Sequence, residues 1–408
     1  MFNLSEQKQK ANSLRKNGNH KEALDIYRLL WKENGDKFDG SGLLQCLRKL
    51  SLFDEAIPLA DELIVKFKNF EWCRNEVIWT YIQGIFDQLA KDSSLTKMLE
   101  VANIIIALNP DGLARKKVVF KVVSTAKTHN NWDIINEWVH KINPVSLSAQ
   151  PMKDNSGKER WSDQAVWYNY YIKGLIEKGE CKEALKTLDK AIEDFPKQKK
   201  FFLRLKAKAN YIDGNLDEAG NIYKYLCHIY KSDWWLLHEY AKVIRDFGRK
   251  EEALQIMYLA ARINVKFETM VSLLIDIGLL CKDLKKYEIA RAHFILCKLI
   301  RNKKSWSIPE SLENNIMELN NIINNEEMSV SFENALEICQ KEWDKFVEKI
   351  NTCHKKLVKN RESRKNLKGR VKILAGDKPY CFIFSGKNES FFSYKSSGYP
   401  VHSDQPRR

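Results

Sequence analysis

The sequence predicts a mainly all-α protein: a solenoid of stacked helix pairs, then a long C-terminal helix and a small β segment. Two observations support this prediction. Alanines recur at the same place in a helix-turn-helix pattern, and the chain closes with short aromatic segments that follow a basic run. A helix pair of this kind buries its apolar face only against the next pair, so a fixed period indicates a repeat array.

Six alanines mark the repeat, and where neighbours are unbroken they lie 33, 35, 34 and 37 residues apart: Ala23, Ala56, Ala184, Ala219, Ala253 and Ala290. A small residue stands twelve positions earlier in four cases, with Ile172 as an exception: Ala11, Ala207, Ala241 and Gly278. Glycines precede four of the turns: Gly18, Gly179, Gly214 and Gly248. This period resembles that of the tetratricopeptide repeat, in which small residues let paired helices approach closely.

The pattern also predicts domain boundaries. Residues 1–142 form an N-terminal array, with two degenerate repeats after about residue 70, and residues 143–162 form a Pro- and Ser-rich surface loop. Residues 163–306 form a second, more regular array. Residues 307–368 hold a capping helix, from about 310 to 326, and a long helix with a basic end, from about 330 to 365. Residues 369–408 are the β segment.

Apolar residues repeat every three or four positions along the long helix: Leu336, Cys339, Trp343, Phe346, Ile350, Cys353 and Leu357. Such a stripe could form a coiled coil and dimerise the protein. The favoured alternative is a helix that packs on the preceding helix or on the array.

Composition limits the class of protein. The chain begins with polar residues and holds no apolar run long enough for a membrane span, so no secretory signal or membrane segment is expected. Nine scattered cysteines without a Cys-x-x-Cys pair favour reduced thiols over disulfides or a zinc site. A cytoplasmic location is therefore expected.

The net charge of +15 is unevenly distributed. A basic segment contributes +8, because Glu362 alone opposes nine cations: Lys355, Lys356, Lys359, Arg361, Arg364, Lys365, Lys368, Arg370 and Lys372. A basic run beside aromatic residues is a candidate nucleic-acid contact.

The β segment resembles the first three strands of a cold-shock domain, an OB-type barrel, from Gly369 through Lys395. The pattern is Gly-Arg-Val-Lys, then Lys-Pro-Tyr-Cys-Phe-Ile, then Ser-Phe-Phe-Ser. Alternation along strands would put Tyr380, Phe382 and Phe391 on one face as a stacking platform for bases, with Lys372 and Lys378 at phosphates. The alternative is an ordinary hairpin whose aromatics pack on a helix.

This segment also departs from the cold-shock pattern. Ile373 and Leu374 replace an aromatic pair, Pro379 and Cys381 replace glycines, and Ser393 replaces a histidine. The sequence ends before a fourth and fifth strand, so the barrel is expected to be incomplete, or to be completed by a partner.

A second candidate surface is a concave groove lined by the first helix of each pair. Counting from the repeat alanines, the inward positions are Asn169, Lys173, Arg204, Lys208, His238, Lys242 and Arg245. These groups would suit an acidic peptide or a nucleic-acid backbone. A chaperone-type carboxylate clamp is incomplete: Lys8 and Asn12 fit it, but Gly42 and Leu43 occupy the region of the next asparagine.

No catalytic motif is present: the sequence lacks a phosphate-binding P-loop, a zinc-protease His-Glu-x-x-His and a Gly-x-Ser-x-Gly elbow. We therefore expect no enzyme activity, no metal and no cofactor.

Most of the chain resembles repeat proteins with a cold-shock or OB-like segment from the bacterial conflict systems called TOTE. The resemblance is carried by Lys158-Glu-Arg-Trp161, Asp233-Trp234, Trp306 and Gly369 to Lys395. It implies a non-catalytic component of a defence system that recognises nucleic acid.

Two functions remain open on this sequence. The first is an adaptor that binds single-stranded RNA or DNA through its C-terminal strands, while the solenoid binds protein partners. The alternative is a pure protein-interaction scaffold whose C-terminal strands pair with a partner.

Overall fold

A computed structural model describes residues 4–89, 94–154, 156–264, 266–323 and 331–345, together with the backbone of three strands between 370 and 393. The chain divides into two compact units, Met1–Ala253 and Leu254–Arg408. The described part of each unit is built from helix pairs. Among the described residues, no helix combines the length and apolar character that a membrane crossing requires.

Eighteen α-helices occur within the described ranges, and the repeat pattern groups them two by two along the chain. In chain order they are α1 Leu4–Lys16, α2 His20–Asn34, α3 Lys37–Lys49, α4 Phe53–Phe67, α5 Glu71–Tyr81, α6 Leu95–Ala107, α7 Gly112–Thr128, α8 Trp132–Val139, α9 Asp163–Glu177, α10 Cys181–Asp194, α11 Lys199–Ile212, α12 Leu216–Ile229, α13 Trp234–Asp246, α14 Lys250–Ile263, α15 Val271–Asp283, α16 Tyr287–Lys303, α17 Glu310–Ile323 and α18, residues 332–345.

The two degenerate repeats expected after residue 70 correspond to the pairs α5–α6 and α7–α8. In the first of them, α5 continues directly into a turn of π-helix, Ile82–Phe86. A π-turn adds a residue to the helical ladder, and it interrupts the regular spacing of apolar residues. This explains why the sequence pattern decays at this point although the helices persist.

The turn between the two helices of a repeat has one geometry at seven places in the described ranges. One residue adopts a left-handed conformation, with φ between 52° and 84°, five positions before the repeat position: Gly18, Ser51, Asn130, Gly179, Gly214, Gly248 and Lys285. The next amide donates a hydrogen bond to the carbonyl five residues back, as from Asn215 to Asn210 at 2.8 Å. This is a Schellman motif, which satisfies the last carbonyls of the first helix.

The small residues of the pattern lie where the helices of a pair come closest. Ala11, Ala23, Ala207 and Ala219 are all fully buried. At Gly278 a Cβ atom would lie 2.5 Å from the ring of Phe294 on the partner helix, so no larger residue fits without a shift. The repeat prediction is therefore confirmed at the level of packing, and the described helices form an array of tetratricopeptide-type helix pairs.

The second unit contains the predicted capping and long helices. The capping helix is α17, Glu310–Ile323. The described part of the long helix, α18, buries Ala335, Cys339 and Trp343, and the Trp343 Nε1–H donates to Nε2 of His293 on α16 at 3.0 Å. Here the apolar stripe packs on the array, as the favoured alternative has it. The rest of the stripe, from Phe346 to Leu357, lies outside the described residues.

Three strands are described by their backbone: β1 Arg370–Ile373, β2 Tyr380–Ser385 and β3 Asn388–Ser393. They form one antiparallel sheet in the order β1-β2-β3. In its register Phe382 lies opposite Lys372 on one side and opposite Phe391 on the other. The cold-shock interpretation of these strands, and the predicted domain boundaries, stay predictions.

Candidate functional site

The first helices of successive pairs lie side by side in the first unit, and ion pairs join them. We call α1, α3, α5, α7, α9, α11 and α13 the first-helix row. The bridges are Lys8–Asp39 at 3.0 Å, Arg48–Glu76 at 2.6 Å, Lys116–Asp163 at 2.7 Å, Lys208–Glu177 at 2.5 Å, and Arg204–Glu239 with Nε to Oε2 at 2.8 Å. Each bridge links one first helix to the next, so these charges are compensated within the protein.

All seven groove residues predicted from the sequence lie on this row. Asn169 and Lys173 are on α9, Arg204 and Lys208 on α11, and His238, Lys242 and Arg245 on α13. Several already have partners. His238 is buried and stacks on Trp234, with ring centroids 6.4 Å apart, and Arg245 Nε donates to Asp246 at 2.7 Å.

Arg204 is the most constrained of these cations. Its guanidinium donates to both carboxylate oxygens of Glu239 and lies 5.0 Å from the ring centroid of Trp235. Burial by itself would lower the pKa of Arg204, but the hydrogen bond and charge of Glu239 outweigh it and raise that pKa. Tyr223 also donates its hydroxyl to Glu239 at 3.2 Å, which fixes the carboxylate.

Lys173 differs from its neighbours. Lys208 is held by Glu177, which lies one helical turn beyond Lys173 on α9, and Arg204 lies one turn before Lys208 on α11. This register places Lys173 beside Arg204, a like charge whose guanidinium is engaged with Glu239. Among the residues that the structure describes, no acid pairs with Lys173 and no hydrogen bond reaches its Nζ.

The environment of Lys173 disfavours its positive charge. Burial lowers the pKa of its ammonium group, and the charges of Lys127, Arg204 and Lys208 lower it further, to about 8. We call these four residues the cation cluster. They come from three neighbouring first helices, α7, α9 and α11. An anion placed beside Lys173 would restore the charged form and relieve the mutual repulsion.

The sequence did not identify the acids that organise this site. Glu177 and Glu239 are not among the inward positions that the repeat alanines indicate. Their signal is the repeat period itself: Glu239 lies 35 residues after Arg204, and Lys208 lies 31 residues after Glu177. Opposite charges separated by 31 to 35 residues, close to one repeat period, mark both pairs.

The C-terminal candidates are placed only in part. Arg370 and Lys372 lie on β1, Tyr380 and Phe382 on β2, and Phe391 on β3. The remaining members of the predicted nucleic-acid site lie outside the described residues: Lys355, Lys356, Lys359, Arg361, Arg364, Lys365, Lys368 and Lys378.

Metal-ligating clusters are absent from the described ranges: no group of three or more His, Cys, Asp or Glu side chains there is placed to hold a metal ion. The seven cysteines in those ranges are free thiols.

Comparisons with known proteins show similarity in structure only. A crystal structure of a tetratricopeptide repeat protein from Parabacteroides merdae matches over 78% of this chain and 98% of its own, at 13% identity and a TM-score of 0.34. The TPR2AB domain of yeast Sti1, in a complex named with pHSP90, matches over 64% of this chain and 90% of its own, at 13% identity and a TM-score of 0.28. No family model and no curated protein matches this sequence.

Proposed function

We propose that this protein is a protein-interaction scaffold that binds an acidic segment of a partner on its first-helix row. The observation that supports this most is the cation cluster around Lys173. A repeat array exposes a long surface made of equivalent helices. On this one Lys173 is a half-buried lysine for which the described residues supply no acid, whereas Arg48 and Lys208 are paired with Glu76 and Glu177. Carboxylates are the groups in a peptide that would satisfy it.

The surroundings of Lys173 suit a protein ligand rather than a small ion alone. Trp235 lies beside Arg204, and Lys200 Nζ lies 4.5 Å from the ring centroid of Tyr230 and 5.3 Å from that of Trp235. Aromatic rings held in place by cations offer apolar contact area at low cost in conformational entropy. An acidic segment with an apolar residue would use both features.

Fluorescence anisotropy tests this proposal with a labelled hexaglutamate peptide as the probe and a labelled hexalysine peptide as its opposite. We expect the full chain to bind hexaglutamate with an affinity that falls as salt rises, and Lys173→Met to weaken binding about tenfold. Lys206→Met is the matched control, because Lys206 is on the same helix as Arg204 but pairs with Asp189 at 2.7 Å.

Equal binding of the two peptides, or equal affinity of Lys173→Met and the parent, would refute the acidic-segment proposal. Circular dichroism of each variant, recorded in the same buffer, shows whether the helices are retained.

Nucleic-acid binding by the C-terminal strands remains a second candidate. The register that sets Phe382 opposite Lys372 and Phe391 supports it, because paired positions of an antiparallel sheet lie side by side. It would fit the resemblance to nucleic-acid-recognising defence proteins. In the same assay with labelled single-stranded RNA or DNA, Tyr380→Ala with Phe382→Ala should weaken binding while leaving hexaglutamate binding unchanged.

A further inference from the structure

The amine of Lys173 combines three properties, and it differs from the likewise unpaired Lys127 of the same cluster in being half-buried rather than exposed. It is partly exposed, so reagents can reach it, and it lies in a cluster of cations. It also forms no ion pair or hydrogen bond within the described part of the chain. By contrast, Lys8, Lys116 and Lys208 on the same row are each held by a carboxylate. A lysine held in that way keeps its proton, and its nitrogen lone pair is not available.

We propose that Lys173 is a covalent acylation site that reacts with acyl phosphates faster than the other lysines of the chain. The proposal goes beyond reversible binding, because it assigns a chemical modification to this residue. It concerns the same surface as the proposed function, and its consequence for partner binding rests on that function.

The reaction needs a neutral amine, and the cluster supplies one. With a pKa of about 8, roughly a quarter of the Lys173 amines are neutral at pH 7.5, against about 0.1% for a lysine with the ordinary pKa of about 10.4. Desolvation and a neighbouring cation are the usual means by which proteins activate a lysine nucleophile. Lower basicity also lowers intrinsic nucleophilicity, as it does for thiols, so we expect a net gain of about tenfold in rate.

The donor follows from the same charges. An acyl phosphate carries negative charge on the phosphate. Lys127, which has no acid partner among the described residues, places positive charge near the amine, while Arg204 and Lys208 are paired with Glu239 and Glu177. The lone pair of Nζ attacks the carbonyl carbon and forms the new C–N bond. The bond from that carbon to the phosphate oxygen then breaks with its electron pair, inorganic phosphate leaves, and the amine proton passes to solvent. The product is a neutral amide.

Acylation would switch off the anion site. The amide has no charge and no ammonium protons, so it cannot pair with a carboxylate. If the row binds acidic segments, an acetylated Lys173 should bind hexaglutamate about as weakly as Lys173→Met does. The binding of acidic segments by this surface would then be regulated by the concentration of acyl phosphates.

Quantitative mass spectrometry of the parent protein tests the proposal. The chain is treated at pH 7.5 with acetyl phosphate and, separately, with the uncharged N-hydroxysuccinimidyl acetate, and the initial acetylation rate of each lysine is measured. We expect Lys173 to exceed Lys206 about tenfold with the uncharged donor. With acetyl phosphate we expect a larger ratio, and we expect added salt to reduce this excess.

Acetylation of Lys173 at the rate of Lys206 with both donors would overturn the proposal, even if hexaglutamate still binds. Fast acetylation with no loss of hexaglutamate binding would instead confirm the reactive site and contradict the proposed function. A lower reactivity in Lys127→Met, which removes one cation of the cluster from an exposed position, would support the electrostatic origin of the effect.

Discussion

In the first three helix pairs a buried arginine, Arg48, is held by Glu76, whereas in the pairs around α9 a half-buried lysine, Lys173, has no acid beside it. Both residues lie on first helices of one unit. The arginine is paired inside the protein and therefore acts as a structural link between α3 and α5. The ammonium group of the lysine has no anionic partner, so an anion bound beside it would be stabilising. The difference indicates that the Arg48–Glu76 pair stabilises the fold, whereas the surface around Lys173 is available for binding.

Of the substitutions that test this comparison, we expect Arg48→Met to change the free energy of unfolding most. Arg48→Met leaves Glu76 buried without its partner, since both side chains are less than 10% exposed. We expect the variant to lose about 3–5 kcal/mol of unfolding free energy, as for other broken buried pairs. Urea unfolding, with hydrogen exchange at the amides of α3 and α5, measures it.

The double variant Arg48→Met with Glu76→Leu is the control, because it removes both charges and should recover most of the loss. A single variant as stable as the parent would show that Arg48 is not a structural link.

Lys173 should respond in the opposite direction. Lys173→Met removes a desolvated charge, so we expect it to stabilise the first unit by about 1 kcal/mol at pH 7 after allowance for solvent screening. The pKa of Lys173 is lowered in the folded state to about 8. The unfolded chain therefore binds more protons between about pH 8 and 10.4, and the stability of the parent rises with pH across that window.

The gain from Lys173→Met should accordingly shrink across the same window and vanish above it. Thermal melts of the parent, Lys173→Met and Lys206→Met from pH 7 to 10.5 measure this. If Lys173→Met instead lowers the melting temperature at pH 7, the Lys173 ammonium must have a stabilising partner. Lys173 would then be a structural residue like Arg48.

The smallest effect concerns the backbone of the turn between the two helices of a repeat, which recurs in both units. Ser51 and Lys285 hold the left-handed turn position that glycine holds elsewhere, with φ of 59° at each. Ser51→Gly and Lys285→Gly relieve this strain at some cost in chain entropy, so each should gain about 0.5–1 kcal/mol. Gly214→Ala is the converse and should lose a similar amount. Differential scanning calorimetry resolves changes of this size.

If the glycine substitutions instead destabilise, the side chains of Ser51 and Lys285 must contribute contacts that outweigh the strain.

The repeat array could be predicted from the sequence because its packing demands small residues at fixed positions. Ala23, Ala219 and Ala290 are fully buried, and Gly278 touches a ring. The left-handed turns at Ser51 and Lys285 could not, because neither residue type favours that conformation, whereas asparagine, as at Asn130, adopts it more readily. The site was predicted as a set of cations; its acids were missed. Whether a cation is compensated depends on a residue one period away.

The shared turn has a consequence for the history of this chain. Gly214 and Gly248 end their helices in the same way, and the chain leaves both turns with the same hydrogen-bonding pattern. Excision of residues 215–248 would join Gly214 to Arg249 and bring Ala253 to the position of Ala219, without a new joint being needed. Unequal recombination within such a gene can therefore lengthen or shorten the protein by whole pairs. Selection then acts on which surface residues are gained or lost, rather than on whether the chain folds.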